Sequence, residues 1–248
     1  MNIHFDAADR AEWRQHWRIV LGVAIGLGTG ISLYLMVGSL FVTHITGEFG
    51  WSRGDLSVAS AAGFIAGALS LSVVGRLLDR YGYRWIVLVC VPALAAIYVG
   101  FAMVSGSFPL YLGLMLLGGS FGAGTGAIAY TRPLIAAFDR QRGLALGVAA
   151  SGTSIAAILV PPLLSLVIGT HGWRAGLYGL CVVTLFIGLP LALWLIGSHR
   201  RERHVDTKTI TLADLPEPTD RERTAPSLTL AQAVRGWPFW LLVLALFA

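Results

Sequence analysis

Among the 18 basic residues of this 248-residue chain, Arg132 closes a long apolar stretch instead of sitting in a polar one. A guanidinium at membrane depth costs about 2.5–3.5 kcal/mol on insertion scales, and such residues usually face a watery cavity or a substrate path. Gly118, Gly122, Thr125, Ala129 and Arg132 recur at intervals of four, three, four and three, a small or polar stripe along one helix that ends in the cation. A guanidinium forks onto a carboxylate, so the chemistry expected there is recognition of a small anionic solute. Alternatively, Arg132 snorkels to the interface beside Arg140 and Arg142, with Pro133 and Phe138 obscuring the helix end. Gly22, Gly26, Thr29, Ser32, Met36, Ser39 and Thr43 form a matching stripe further upstream. Tyr34, Thr125 and Tyr130 are the other expected solute contacts, although small residues at these intervals equally serve helix packing.

Catalytic chemistry has little to work with. None of the 13 acidic residues falls inside an apolar run, and HExxH and Walker patterns are absent from the sequence. Cys90 and Cys181 each lie within an apolar run, too few and too separated for a disulfide framework or a Cys/His metal site. No enzyme activity, cofactor or metal is therefore expected. A net charge of +5 would raise nucleic acid as a partner in a soluble protein, but here the charges cluster between apolar runs. With 56% hydrophobic residues, 12% charged and a mean hydropathy of +0.72, the surroundings expected are a lipid bilayer. The first apolar stretch is too long for a signal-peptide core and follows a tail carrying Asp6, Asp9 and Glu12, so it is expected to stay in the membrane.

Roughly 20 apolar residues cross a bilayer core as a helix. Six stretches meet that length: Ile19 to Thr43, Leu56 to Gly75, Trp85 to Val104, Phe108 to Thr131, Leu144 to Ile168 and Ala175 to Gly197. The chain divides into a tail over 1–17, a six-helix domain over 18–197, a polar linker over 198–236 with Pro216, Pro218 and Pro226, and an apolar run over 237–248. The linker could carry a short surface helix near Leu228 to Val234, and the last run reads as the start of a seventh helix. Fifteen Lys and Arg fall on one side of the spans and only Arg53 and Arg174 on the other, which predicts a cytoplasmic amino terminus. The eight tryptophans lie near span ends, the aromatic-belt position.

Two echoes suggest an inverted internal repeat. Phe49-Gly-Trp-Ser-Arg-Gly54 is similar to Phe138-Asp-Arg-Gln-Arg-Gly143, an offset of 89 residues, and Tyr81-Gly-Tyr-Arg84 to His171-Gly-Trp-Arg174, an offset of 90. In each pair the partners fall on opposite sides of the membrane, as three spans followed by three inverted spans would place them. Chance is an open alternative, since Gly, aromatic and Arg residues are common wherever helices enter an interface. Ser52-x-x-Asp55 has the form of a capping box opening the second span. Pro161-Pro162 marks a possible hinge in the fifth.

The loop Gly75-Arg-Leu-Leu-Asp79-Arg80-Tyr-Gly82-Tyr-Arg84 resembles the loop motif of the major facilitator superfamily, departing from it only at Tyr83. EFGWSRGDLS from Glu48 and FDRQRGLALGVAASG from Phe138 resemble the monocarboxylate and oxalate:formate porter branch. The resemblance implies an all-α membrane protein: the six-helix amino-terminal half of the superfamily's fold, a 3+3 inverted repeat, plus the start of a seventh helix. It further implies a multi-pass protein of the plasma (inner) membrane in which spans one and four line a central cavity and spans three and six sit outside. The function implied is secondary transport of a small organic anion such as a monocarboxylate, with a proton as the coupling ion and a carboxy-terminal half as partner. Transport of a neutral metabolite or sugar, or a sensor role on the same fold, stays open. Gly75, Asp79, Arg80, Gly82 and Arg84 would form a gating latch, or simply cap helices and hold topology.

Overall fold

Every non-proline backbone group in hydrocarbon must find a partner inside the protein, and helices achieve this within one segment. A computed structural model describes residues 7–197, all within Met1–Glu202, the first of two compact units; the second is Arg203–Ala248. The expected linker, its surface helix and the seventh apolar run lie outside the described residues. The order of elements is α1 (Ala7–Thr29), α2 (Ile31–Phe49), α3 (Arg53–Ala102), α4 (Phe108–Ala123), α5 (Ala127–Ala137), α6 (Arg142–His171), α7 (Trp173–Val182), a π-helical turn (Val183–Gly188) and α8 (Leu189–Ile196).

Among the described residues, five stretches are long and apolar enough to cross a membrane: Asp9–Phe49, Arg53–Ala102, Phe108–Ala137, Arg142–His171 and Trp173–Ile196. The 50 residues of α3 would run about 75 Å as one rod, far more than a bilayer core needs. They do not run straight, because Gly82 leaves the helix with φ 77° and ψ 165°. Leu56 near one end consequently packs in the same apolar cluster as Tyr98 and Phe101 near the other. The corner divides α3 into two segments, each long enough to cross as the second and third spans, which suits six crossings among the described residues.

Gly172, 90 residues after Gly82, has nearly the same backbone, φ 84° and ψ 166°. This region of φ/ψ space is open essentially to glycine alone, so the sequence echo corresponds to a repeated corner. The residue after each corner, Tyr83 or Trp173, turns inward and is buried. Close helix approaches recur in the same inverted sense. A Cβ on Gly119 of the fourth span would strike the Gly63 carbonyl of the second, and a Cβ on Gly152 of the fifth would strike the Ala24 carbonyl of the first. Spans four and two thus meet backbone to backbone, as spans one and five do.

Three crossings are interrupted at mid-length. The first breaks at Gly30, between α1 and α2. The fourth, expected as one unbroken helix to Thr131, instead breaks between Ala123 and Ala127 and resumes as far as Ala137. The sixth contains the π-helical turn. Hydroxyl groups repair these breaks: Thr125 Oγ1 accepts from the Ile31 N–H at 3.0 Å, Thr184 Oγ1 donates to the Thr29 carbonyl at 3.0 Å, and Thr29 Oγ1 donates to Ile25 at 2.8 Å. By contrast, α6 runs through Pro161 and Pro162 as a single helix. The second span opens on the expected capping box: Asp55 N–H donates to Ser52 Oγ at 3.1 Å and Ser52 N–H donates to Asp55 Oδ2 at 2.9 Å.

Candidate functional site

Two apolar clusters fill the bundle. One, with Val87, Tyr130, Leu134 and Phe138, lies towards the end rich in arginine; the other, with Phe41, Tyr98, Tyr111 and Trp173, lies towards the opposite end. Polar groups then join the helices at each end, and a cavity opens between the first four spans.

At the arginine-rich end, Arg132 of α5 donates from Nη1 to Asp79 Oδ1 of α3 at 2.6 Å. Their side chains are 40% and 69% exposed, so in water such a pair is worth about 0–1 kcal/mol. Arg80 rests over the Tyr81 ring at 5.4 Å, and Arg84 is exposed beside the Gly82 corner. A Cβ at Gly75 would meet nothing within 4 Å among the described residues, which leaves room there for another helix to approach. Nearby, the start of α1 docks on the turn into α6. Glu12 Oε1 accepts from the Asp139 and Arg140 N–H groups at 2.6 and 3.3 Å, Asp9 meets Arg140 at 3.1 Å, and Trp13 stands edge-on to Phe138. Arg142 reaches Asp139 at 2.8 Å on the same surface.

At the opposite end, Arg174 ties three spans together. Its Nη2 lies 2.7 Å from Glu48 Oε1 and its Nη1 donates to Oε2 at 2.9 Å, while Nε donates to the Ala102 carbonyl at 3.0 Å. Trp173 Nε1 adds a donor to Glu48 Oε2 at 2.7 Å, and the guanidinium stacks over the Trp173 ring at 4.3 Å. The hydrogen bonds from Arg174 and then Trp173 hold the Glu48 carboxyl below its ordinary range, and the same Glu48 contact raises Arg174. At the head of the second span, the Ser52 hydroxyl and N–H likewise lower Asp55.

Between the clasps lies a cavity of about 500 Å³, walled by spans one to four. Tyr34 stacks on Tyr98 and on Phe101, each at 5.8 Å between ring centres, and Phe101 meets Tyr111 at 5.2 Å. Ser39 and Ser60 add hydroxyls, and among the described residues no charged side chain belongs to the wall. Of the solute contacts expected from sequence, Tyr34 lines this cavity. Thr125 is fully buried and spends its hydroxyl on backbone, donating to the Gly122 carbonyl at 2.9 Å and accepting from Ile31. Tyr130 is buried with its ring pressed against Gly26. Arg132 is absent from the wall and faces Asp79. The break after Ala123 separates it from the small-residue stripe that pointed to it. Sequence reasoning missed Tyr98, Phe101 and Tyr111; the spacing of Tyr98 and Phe101 on one face of the third span was the available signal.

A family model described as Major Facilitator Superfamily matches residues 16–248. The chain belongs to the major facilitator superfamily. It is 31% identical over 184 residues to the human protein named monocarboxylate transporter 11, covering 71% of this chain and 39% of that one. The mouse protein of the same name is 32% identical over 174 residues, 69% of this chain and 38% of the relative. The chain therefore spans about two-fifths of the length of the curated relatives it matches. Membership makes it an integral multi-pass membrane protein of a transporter family and not an enzyme, and the inverted triplets around Gly82 and Gly172 suit one half of such a transporter.

Proposed function

We propose that this chain is the amino-terminal half of a secondary active transporter that moves a small organic anion, a monocarboxylate or close analogue, by alternating access. The observation that carries the reading is the arrangement of two polar clasps, Asp79 with Arg132 and Glu48 with Arg174, at opposite ends of one bundle with a solute-sized cavity between them. Alternating access needs ends that close in turn around a midplane site, with one repeat unit rocking against another. The names of the human and mouse relatives support the monocarboxylate class.

In this scheme the arginine-rich end and the amino terminus face the cytosol, following the bias of positive charge, and the protein sits in the plasma (inner) membrane. Asp79, with Gly75, Arg80, Gly82 and Arg84, latches that end against a carboxy-terminal half. Arg132 forks onto the solute carboxylate in the state in which Asp79 releases it. Proton coupling follows from the porter-branch resemblance. The six apolar runs between Ile19 and Gly197 contain no carboxylate to carry that proton, so its carrier is assigned to residues outside them.

A neutral solute is the second reading, favoured by the uncharged cavity wall. The full-length protein in proteoliposomes separates the two when uptake of a labelled monocarboxylate is compared with that of its amide. Uptake of the acid alone, stimulated by an inward proton gradient, supports the proposal. Equal uptake of the amide favours the neutral reading, and uptake of neither removes transport of this class.

A further inference from the structure

We propose that the tyrosine cavity receives the apolar body of the solute with the carboxylate left outside, so that the preferred substrates are acids with an aromatic or similarly bulky body. This rests on the transport reading above and adds to it a solute class and an orientation.

A cavity of about 500 Å³ falls within the ~300–1,000 Å³ of small-molecule sites. A two- or three-carbon acid would leave most of that space unfilled. Tyr34 lies parallel to Phe101 within 4° and is stacked with Tyr98, and Tyr111 tilts against Phe101 at 55°, so a cluster of packed rings forms one wall of the cavity. Aromatic rings pair favourably in these offset and tilted arrangements.

Polarity then fixes the direction of entry. Burying a carboxylate away from any cation or donor is strongly unfavourable, and among the described residues no charged side chain lines this cavity. The charged end must therefore remain outside, and the uncharged body is the part that fits. The Tyr98 hydroxyl is fully enclosed by protein, and the Tyr34 and Tyr111 hydroxyls interact with each other, so none of the three offers the solute a free polar atom.

The test uses the full-length protein in proteoliposomes with labelled acetate and phenylacetate, which share a carboxylate and differ in body. Phenylacetate is expected to show a KM about tenfold or more below that of acetate. Ser60→Phe fills the cavity and should raise the phenylacetate KM about tenfold, removing its advantage over acetate. Acetate transported as well as phenylacetate by the unmodified protein overturns the proposal while leaving anion transport standing. An equal effect of Ser60→Phe on both acids also overturns it, and would point to a lipid tail or a side chain of the other half as the occupant. Should Ser60→Phe fail to fold, the comparison of acids on the unmodified protein still decides. Uptake of neither acid overturns both this inference and the anion-transport reading.

Discussion

Arg132 and Asp79, 53 residues apart in sequence, meet at 2.6 Å across the gap between α5 and α3. The contact joins the single basic side chain of the fourth span to the acidic residue of the Gly75–Arg84 motif in α3. If Asp79 only latches, Asp79→Asn should alter turnover and leave KM within about twofold. If Arg132 also receives the carboxylate, Arg132→Gln should raise KM about tenfold or more, the scale of losing a charge-assisted hydrogen bond. Uptake kinetics of the two variants, with surface expression matched, separate these roles. Identical kinetic signatures would restrict Arg132 to the latch.

Gly82 and Gly172 hold a backbone that other residues adopt only with strain of about 1–3 kcal/mol. Gly82→Ala and Gly172→Ala are each expected to lower the melting temperature of the purified protein in detergent. Gly169→Ala is the control, since it lies within helical α6 with open space at its Cβ. There alanine should be neutral or mildly stabilising. Equal behaviour of all three variants would mean that the corners relax without loss.

Thr125→Val keeps the shape of the side chain and removes its hydroxyl, stranding the Ile31 N–H at the start of α2. A buried donor without a partner costs about 1–3 kcal/mol. Thermal stability should fall by that order, with solute KM unchanged because Thr125 is enclosed by backbone and does not line the cavity. A raised KM at unchanged stability would instead make Thr125 a solute contact.

Glu48 carries the pH dependence. Its pKa in the folded protein lies below its ordinary 4.5, so the unfolded chain takes up a proton first as pH falls. The contribution of the clasp is complete above about pH 4.5 and is lost as pH drops through the lowered folded value. Melting temperature should therefore be flat with respect to this group from pH 7 to 5 and decline below. Glu48→Gln should be less stable at neutral pH and lose that part of the acid sensitivity. An unchanged acid limb in the variant would assign it to other carboxylates.

Much of this architecture can be read from residue order alone. Six apolar runs of spanning length, the Ser52 and Asp55 cap and the paired Gly-aromatic-Arg corners each depend on neighbours in sequence, and each appears in the folded chain. The candidate site was less legible, for two physical reasons. Partners such as Asp79 and Arg132 are distant in sequence, and a mid-span break at Gly124 to Gly126 changes what an i, i+4 stripe means beyond it. Moreover, lipid-facing and cavity-facing sides of a span are both apolar, so periodicity did not reveal that Tyr98 and Phe101 of the third span face a cavity. The same ambiguity made Tyr130 look like a solute contact, where tight packing on Gly26 gives its ring another use.

The corners at Gly82 and Gly172 have one backbone shape but opposite dressing. Arg76, Arg80 and Arg84 surround the first, whereas Arg174 alone attends the second and is engaged by Glu48. A bare corner of this shape has no intrinsic address in the cell; it would serve either leaflet equally well. Its destination is written in a handful of guanidinium groups, and moving those charges from one corner to the other should redirect how a nascent three-helix unit threads itself during insertion.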